Sequence, residues 1–282
     1  MFEEERPLIE RLEAKGFGII TPDQYRIDLP AEFLAMWEEV RHYTMTSPER
    51  GYALYQAVRY LCKSGLAGDI VECGVWRGGS CMLAAKTLLA CARAGEGVGG
   101  EPPGTARPAA NDVTAGEKPP GTTNRRIWLY DTFAGPTEPT DADKIAWSGR
   151  GVRERWEADR RGEATNFTWW AVARDQVAAN MLASGWPEAQ TLLVEGDVLH
   201  TLEIRRPVRI ALLRLDTDWY ESTARELAVL YPLLVPGGVL IIDDYGHFEG
   251  ARRAVDEYFS PASGRHILLN RVDYTGRIGV KP

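Results

Sequence analysis

Seven short apolar runs recur along the chain, and most are separated by amphipathic stretches. They are DIVEC (69–73), RIWLY (126–130), TLLVE (191–195), RIALLRL (209–215), GGVLIID (237–243), RHILLNR (265–271) and RIGVK (277–281). An apolar run bounded by turn residues reads as a buried strand. Alternation of strand with helix implies parallel pairing, because each parallel step needs a crossover to bring the chain back. Helical periods fall between the runs at 80–92, 175–183, 222–234 and 250–259. The expected fold class is therefore α/β: a doubly wound, mostly parallel seven-stranded sheet with helices on both faces. The last two runs are separated only by VDYTG (272–276), which reads as an antiparallel C-terminal hairpin closing one edge. Upstream of the first run, 47–65 has a helical period and a Ser-Pro start.

The expected domains are an N-terminal helical extension or lid over 1–65 and a ligand-binding domain over 66–282. Two segments interrupt the second. Residues 92–124 are rich in Gly, Pro and Ala and too poor in large apolar residues to order themselves, so a flexible surface insertion is expected. Residues 144–170 mix Trp147, Trp156, Trp169 and Trp170 with many charges. They form either a locally packed excursion or a wall on the substrate side of a pocket.

Composition narrows the function. With 33 basic and 40 acidic residues the net charge is −7, and no basic stripe suggests nucleic acid. No apolar run is long enough for a bilayer, and the N-terminus lacks a secretory signal, so the expected location is cytoplasmic. Cys62, Cys73, Cys81 and Cys91 form no Cys-x-x-Cys pair and are expected as reduced thiols rather than zinc ligands. The helix expected at 30–43 offers a surface for a homo-oligomer.

Ligands of doubly wound sheets bind beyond the carboxyl ends of the strands. The first run leads into VECGVWRGGS, with Glu72, Gly74, Gly79 and Ser80. The second ends at Asp131, placed to accept from ribose hydroxyls, and the third at Gly196 and Asp197, near an adenine. The turn lacks the second glycine that admits a pyrophosphate, and an acidic Glu72 suits an ammonium group, so S-adenosylmethionine fits better than a nicotinamide dinucleotide. The alternative for Glu72 and Asp131 is capping of the following turn.

The fourth run ends at Asp216 and Asp218 and the fifth at Asp243 and Asp244. In a parallel sheet these ends are neighbours, so Asp216, Asp243 and Asp244 converge. Three carboxylates on a half-buried rim call for a cation, and all-oxygen ligands favour Mg²⁺, with Mn²⁺ also suitable. The alternative is that these aspartates cap helices or meet arginines such as Arg214, Arg252 and Arg253. Asp-x-Asp also occurs in metal-dependent glycosyltransferases, but that reading leaves the glycine-rich turn unexplained.

The stretches IVECGVWRGGSCMLAAKTL, LYDTFAG and LLRLDTDWYESTARELAVLYPLLVPGGVLIIDDYGHFEGARRAVDEYF together resemble the macrocin O-methyltransferase family. The resemblance implies a class I, Rossmann-like methyltransferase, dependent on S-adenosylmethionine and Mg²⁺, that methylates sugar hydroxyls in antibiotic biosynthesis. It implies that Asp216, Asp243 and Asp244 hold the metal, and that Met45 and Glu49 help close over the cofactor. The full expected cofactor set is Met45, Glu49, Glu72, Gly74, Val75, Trp76, Gly79, Ser80, Asp131, Thr132, Gly196, Asp197 and Asp216. Asp216 is the first choice of general base, with Asp218 and His247 as reserves; His247 is alternatively a structural residue after the turn. The expected acceptor is a small hydroxylated, glycosylated molecule, or alternatively a catechol-like phenol that would satisfy the same metal.

Overall fold

The strand–helix alternation is present in the computed structural model, which describes residues 6–18, 26–95, 125–161 and 171–282. The strands are β1 (Asp69–Cys73), β2 (Ile127–Asp131), β3 (Thr191–Glu195), β4 (Ile210–Leu215), β5 (Leu234–Ile242), β6 (Asn270–Arg271) and β7 (Arg277–Val280). They form one sheet in the order β3-β2-β1-β4-β5-β7-β6. The first five strands pair in parallel, and β7 pairs antiparallel with both β5 and β6. All six residues of β4 are buried, as expected of a strand covered on both faces. Val71, Tyr130, Leu213, Leu240 and Ile242 join residues of the flanking helices in the main core.

The described helices are α1 (Arg6–Glu13), α2 (Ala31–Val40), α3 (Pro48–Ser64), α4 (Gly79–Arg93), α5 (Arg153–Arg160), α6 (Arg174–Ala183), α7 (Val198–Ile204), α8 (Tyr220–Leu230) and α9 (Glu249–Tyr258). Helix α3 begins as its Ser-Pro start predicts: the Ser47 hydroxyl accepts from the Arg50 N–H, and Pro48 occupies a first-turn position that needs no donor. The chain forms two compact units, residues 1–35 and 36–282. Helix α3, which the sequence assigned to the N-terminal extension, belongs to the larger unit, where its Leu54, Val58 and Leu61 are buried.

Two expectations need qualification. The run at 265–271 pairs only over Asn270–Arg271, and Leu268 is 76% exposed. That run lies at the sheet edge, where among the described residues β7 is its sole neighbour, so little holds the rest in the ladder. The segment expected as a flexible insertion loses Ala92 and Arg93 to helix α4, and its residues 96–124 lie outside the described residues.

Candidate active site

Strand order reverses between β1 and β4, and a cavity of about 280 Å³ opens beyond the carboxyl ends of the parallel strands. Every expected site residue lines it except Glu49 and Gly79. Glu49 is exposed on the first turn of α3. Gly79 instead lets two segments touch: a Cβ there would lie 2.5 Å from the Tyr43 backbone. That close approach seats Thr44, Met45 and Thr46 over the cavity, with Thr44 Oγ1 and Ser80 Oγ 3.3 Å apart.

The turn after β1 is shaped by its neighbours. Gly74 has φ +78°, and a Cβ there would strike the Asp216 carbonyl oxygen. Asp131 organises the same turn. Its Oδ2 accepts from the Val75 N–H (2.7 Å) and the Trp76 N–H (3.1 Å), and its Oδ1 accepts from the Phe133 N–H (2.8 Å). The capping alternative for Asp131 therefore holds. A carboxylate has about four lone-pair positions, so capacity remains for a ligand hydroxyl. Asp197 also caps, accepting from the Leu199 N–H at 2.9 Å at the start of α7, and Gly196 precedes it at the cavity wall. Thr132 donates to the Gly135 carbonyl at 2.5 Å.

Arg214 stands at the centre of an ion network. It is 3% exposed on the otherwise apolar β4. Its Nη1 donates to Glu72 Oε1 (2.5 Å) and Asp216 Oδ2 (2.6 Å), and its Nη2 to Asp243 Oδ1 (2.5 Å). Glu72 Oε2 accepts from the Cys81 thiol at 2.7 Å. Glu72 is thus held by a guanidinium, as the arginine alternative anticipated for the aspartates. Burial raises its carboxyl above the ordinary range, and Arg214 opposes that rise. Arg50 pairs with the other Asp243 oxygen and, through Nε, with Asp273 Oδ2 at 3.0 Å.

Asp216, Asp218 and Asp244 bring carboxylate oxygens within 4.8 Å of one another. This differs from the expected metal set in one member: Asp218 in place of Asp243. Two arginines claim the oxygens of Asp243, whereas Asp218, at φ +67°, turns back toward Asp244, whose Oδ2 accepts its N–H at 3.3 Å. Burial pushes all three carboxyls up, Asp216 to about 7, and nearby carboxylates add to the rise: Asp243 and Glu72 for Asp216, Asp216 for Asp218, and Asp218 and Asp216 for Asp244. Hard oxygen donors gathered this closely at a cavity wall, two half-buried and one buried, fit a divalent cation such as Mg²⁺.

His247 lines the cavity, with Nδ1 3.0 Å from the Tyr274 hydroxyl. Burial lowers its pKa, which favours neutral imidazole. The Trp147 indole meets the His247 ring edge-on, with centroids 4.7 Å apart, and remains 64% exposed. Trp156 packs inward and donates to the Pro136 carbonyl at 3.0 Å, while Trp169 and Trp170 lie outside the described residues. The sequence reading missed Thr46, Arg50, Asp273 and Tyr274. Arg50 sits on α3 and Asp273 in the final hairpin turn, and only the fold joins them. Among the described residues all four cysteines are buried free thiols, and no helix is long and apolar enough to cross a membrane.

The Macrocin-O-methyltransferase (TylF) family matches residues 34–96 and 115–278. The 8-demethyl-8-(2,3-dimethoxy-alpha-L-rhamnosyl)-tetracenomycin-C 4'-O-methyltransferase of Streptomyces olivaceus is 32% identical over 85% of this chain and 76% of its own. The mycinamicin III 3''-O-methyltransferase of Micromonospora griseorubida is 29% identical over 84% of this chain and 77% of its own. The solved structure of the O-methyltransferase NovP superposes with a TM-score of 0.63 at 26% identity, covering 85% of this chain and 82% of that one. A family match over most of the chain leaves no place for the glycosyltransferase reading of Asp-x-Asp. The chain belongs to the macrocin O-methyltransferase family and is an O-methyltransferase with the class I, Rossmann-like fold.

Proposed function

We propose that this enzyme transfers a methyl group from S-adenosylmethionine to a sugar hydroxyl of a glycosylated natural product, with the acceptor held on a divalent cation, Mg²⁺ by its donors. The observation that carries the reading is that the turn from Gly74 to Trp76 and the Asp216–Asp218–Asp244 carboxylates line one cavity. The sugar acceptor is supported by the Streptomyces olivaceus relative, whose name specifies a rhamnosyl-bearing product.

The half of the cavity lined by Glu72, Gly74, Val75, Trp76, Ser80, Asp131, Thr132, Gly196 and Asp197 is assigned to the cofactor, with Met45 covering it. S-adenosylmethionine supplies an already activated methyl group, so the protein's part is chiefly orientation and exclusion of water. Asp216, Asp218 and Asp244 are assigned to the cation, and Asp243 holds Arg50 and Arg214 in place around them. A divalent ion there would lower the pKa of a bound hydroxyl and fix its direction. Asp216 remains our choice of base, because its carboxylate lines the cavity that the Gly74–Trp76 turn shares with Asp218 and Asp244. His247, neutral and beside Tyr274, bounds the acceptor side.

The test is methyl transfer from labelled S-adenosylmethionine to a panel of glycosylated and catecholic acceptors, with Mg²⁺ or with chelator. Transfer to glycosides that requires Mg²⁺ supports the reading. Transfer restricted to catechols would replace the acceptor class, and transfer unaffected by chelator would remove the cation.

A further inference from the structure

Helix α8 packs its Thr223, Leu227 and Leu230 into the core, and on the same face stands a carboxyl, Glu226, with 0% exposure. Nothing in the transfer reaction described above uses it. Its Oε1 accepts from the Thr217 hydroxyl at 2.9 Å. Its Oε2 is buried with no strong donor at hydrogen-bond distance, and the Cys73 thiol, a weak donor, lies beside it. The charged groups that act on it are carboxylates, Asp216 and Asp197. An ionised glutamate here would give up its hydration, rest one oxygen on a weak thiol donor and face two like charges. An uncharged acid avoids all three costs, in keeping with the strong upward push that burial exerts on this carboxyl.

Thr217 is the residue between Asp216 and Asp218. Its carbonyl accepts from the Trp219 N–H at 2.7 Å and from the Ser222 hydroxyl at 3.2 Å, closing a tight turn. On the other side of the turn, the Asp216 N–H donates to the Cys73 carbonyl at 2.9 Å. Beyond the Asp218 N–H bond to Asp244 and the Arg214 bond to Asp216, the side chain of Thr217 adds a further tether, and it ends on Glu226. Asp218 needs such support, because its left-handed backbone is one that non-glycine residues adopt rarely.

We propose that Glu226 is a positioning residue: an uncharged carboxylic acid beneath the Asp216–Thr217–Asp218 turn that anchors Thr217 and so sets the two flanking carboxylates for a cation. The inference rests on the cation reading given above. A buried group that orients ligands without touching the ion commonly governs metal affinity by about 10–100-fold.

The test uses the full chain with Mn²⁺ as the probe and thermal melting as the control for folding. Glu226→Gln keeps an acceptor for Thr217 and the neutral charge, so Mn²⁺ affinity stays at the wild-type value. Glu226→Leu removes the acceptor while preserving bulk, and affinity falls about tenfold, as expected for an orienting partner. Thr217→Val, which leaves Glu226 in place, falls by a similar factor, and the double variant falls no further than either single one. Infrared difference spectra of wild type against Glu226→Gln at neutral pH show a carboxylic-acid carbonyl band. A carboxylate band, or a loss in Glu226→Gln as large as in Glu226→Leu, overturns the uncharged state. Wild-type affinity in folded Glu226→Leu overturns the positioning role. Wild-type protein that binds no Mn²⁺ defeats the cation reading and with it the role in setting ligands, while the infrared band still decides the charge.

Discussion

Arg214 Nη2 lies 2.5 Å from Asp243 Oδ1, joining the ends of two adjacent parallel strands from within the sheet. The same guanidinium holds Glu72 and Asp216, so one buried cation serves three carboxylates. Breaking a buried pair by removing one partner leaves charge without compensation. Arg214→Gln is therefore expected to lower stability by about 3–5 kcal/mol, read from the urea midpoint. A loss comparable to that of an exposed pair, below about 1 kcal/mol, contradicts the network.

The two neighbouring aspartates are predicted to behave differently. Asp244→Asn and Asp218→Asn each remove an oxygen from the close group, and Mg²⁺ affinity should fall by an order of magnitude or more. Asp243→Asn should chiefly cost stability, because Arg50 and Arg214 lose the buried carboxylate they share and keep only their other partners. Calorimetric Mg²⁺ titration beside thermal melting separates the outcomes. If Asp243→Asn abolishes Mg²⁺ binding and Asp218→Asn does not, the ligand set expected from the sequence, Asp216, Asp243 and Asp244, is the right one.

Burial raises the Asp216 carboxyl from its ordinary 3.8 to about 7 and pushes Asp218 and Asp244 upward as well. A group that holds its proton more tightly in the folded state stabilises the fold while that proton is bound. This contribution is complete below the ordinary carboxyl pKa and is lost as pH rises through about 7. In chelator, the melting temperature should therefore fall between about pH 5 and pH 8, and Mg²⁺ should offset more of the fall at the higher pH. A chelator-independent curve would show that these carboxyls do not carry the strain.

Gly74→Ala places a methyl group against the Asp216 carbonyl at a backbone angle that alanine adopts poorly. The change should cost on the order of 2 kcal/mol or more, and should weaken S-adenosylhomocysteine binding by moving the turn. Unchanged affinity and melting would place the cofactor elsewhere.

The sheet was legible because each strand carries its own apolar run between polar turns, and the C-terminal hairpin because only five residues separate its strands. The cavity was legible because strand ends meet at a rim whatever the loops do. Pairings across the rim were less accessible. Arg214 figures in the sequence only among the arginines that the aspartates could meet, and its three carboxylate partners come from β1, its own strand end and the end of β5. Arg50 and Asp273 are more than two hundred residues apart, and no local pattern links them. The place of Asp218 depends on one backbone angle, φ +67°, at a non-glycine residue, which the Asp-x-Asp spacing does not disclose. The strand expected at 265–271 shrank because edge position, rather than composition, limits its pairing.

The central claim is that cofactor and cation occupy two halves of one cavity. The most direct measurement is calorimetric titration of the full chain with S-adenosylhomocysteine and then with Mg²⁺, on wild type and on Asp244→Asn. The account predicts binding of S-adenosylhomocysteine by both proteins, and one Mg²⁺ site in wild type that is lost or severely weakened in Asp244→Asn. Mg²⁺ binding of equal strength in both proteins, or none in either, would contradict it.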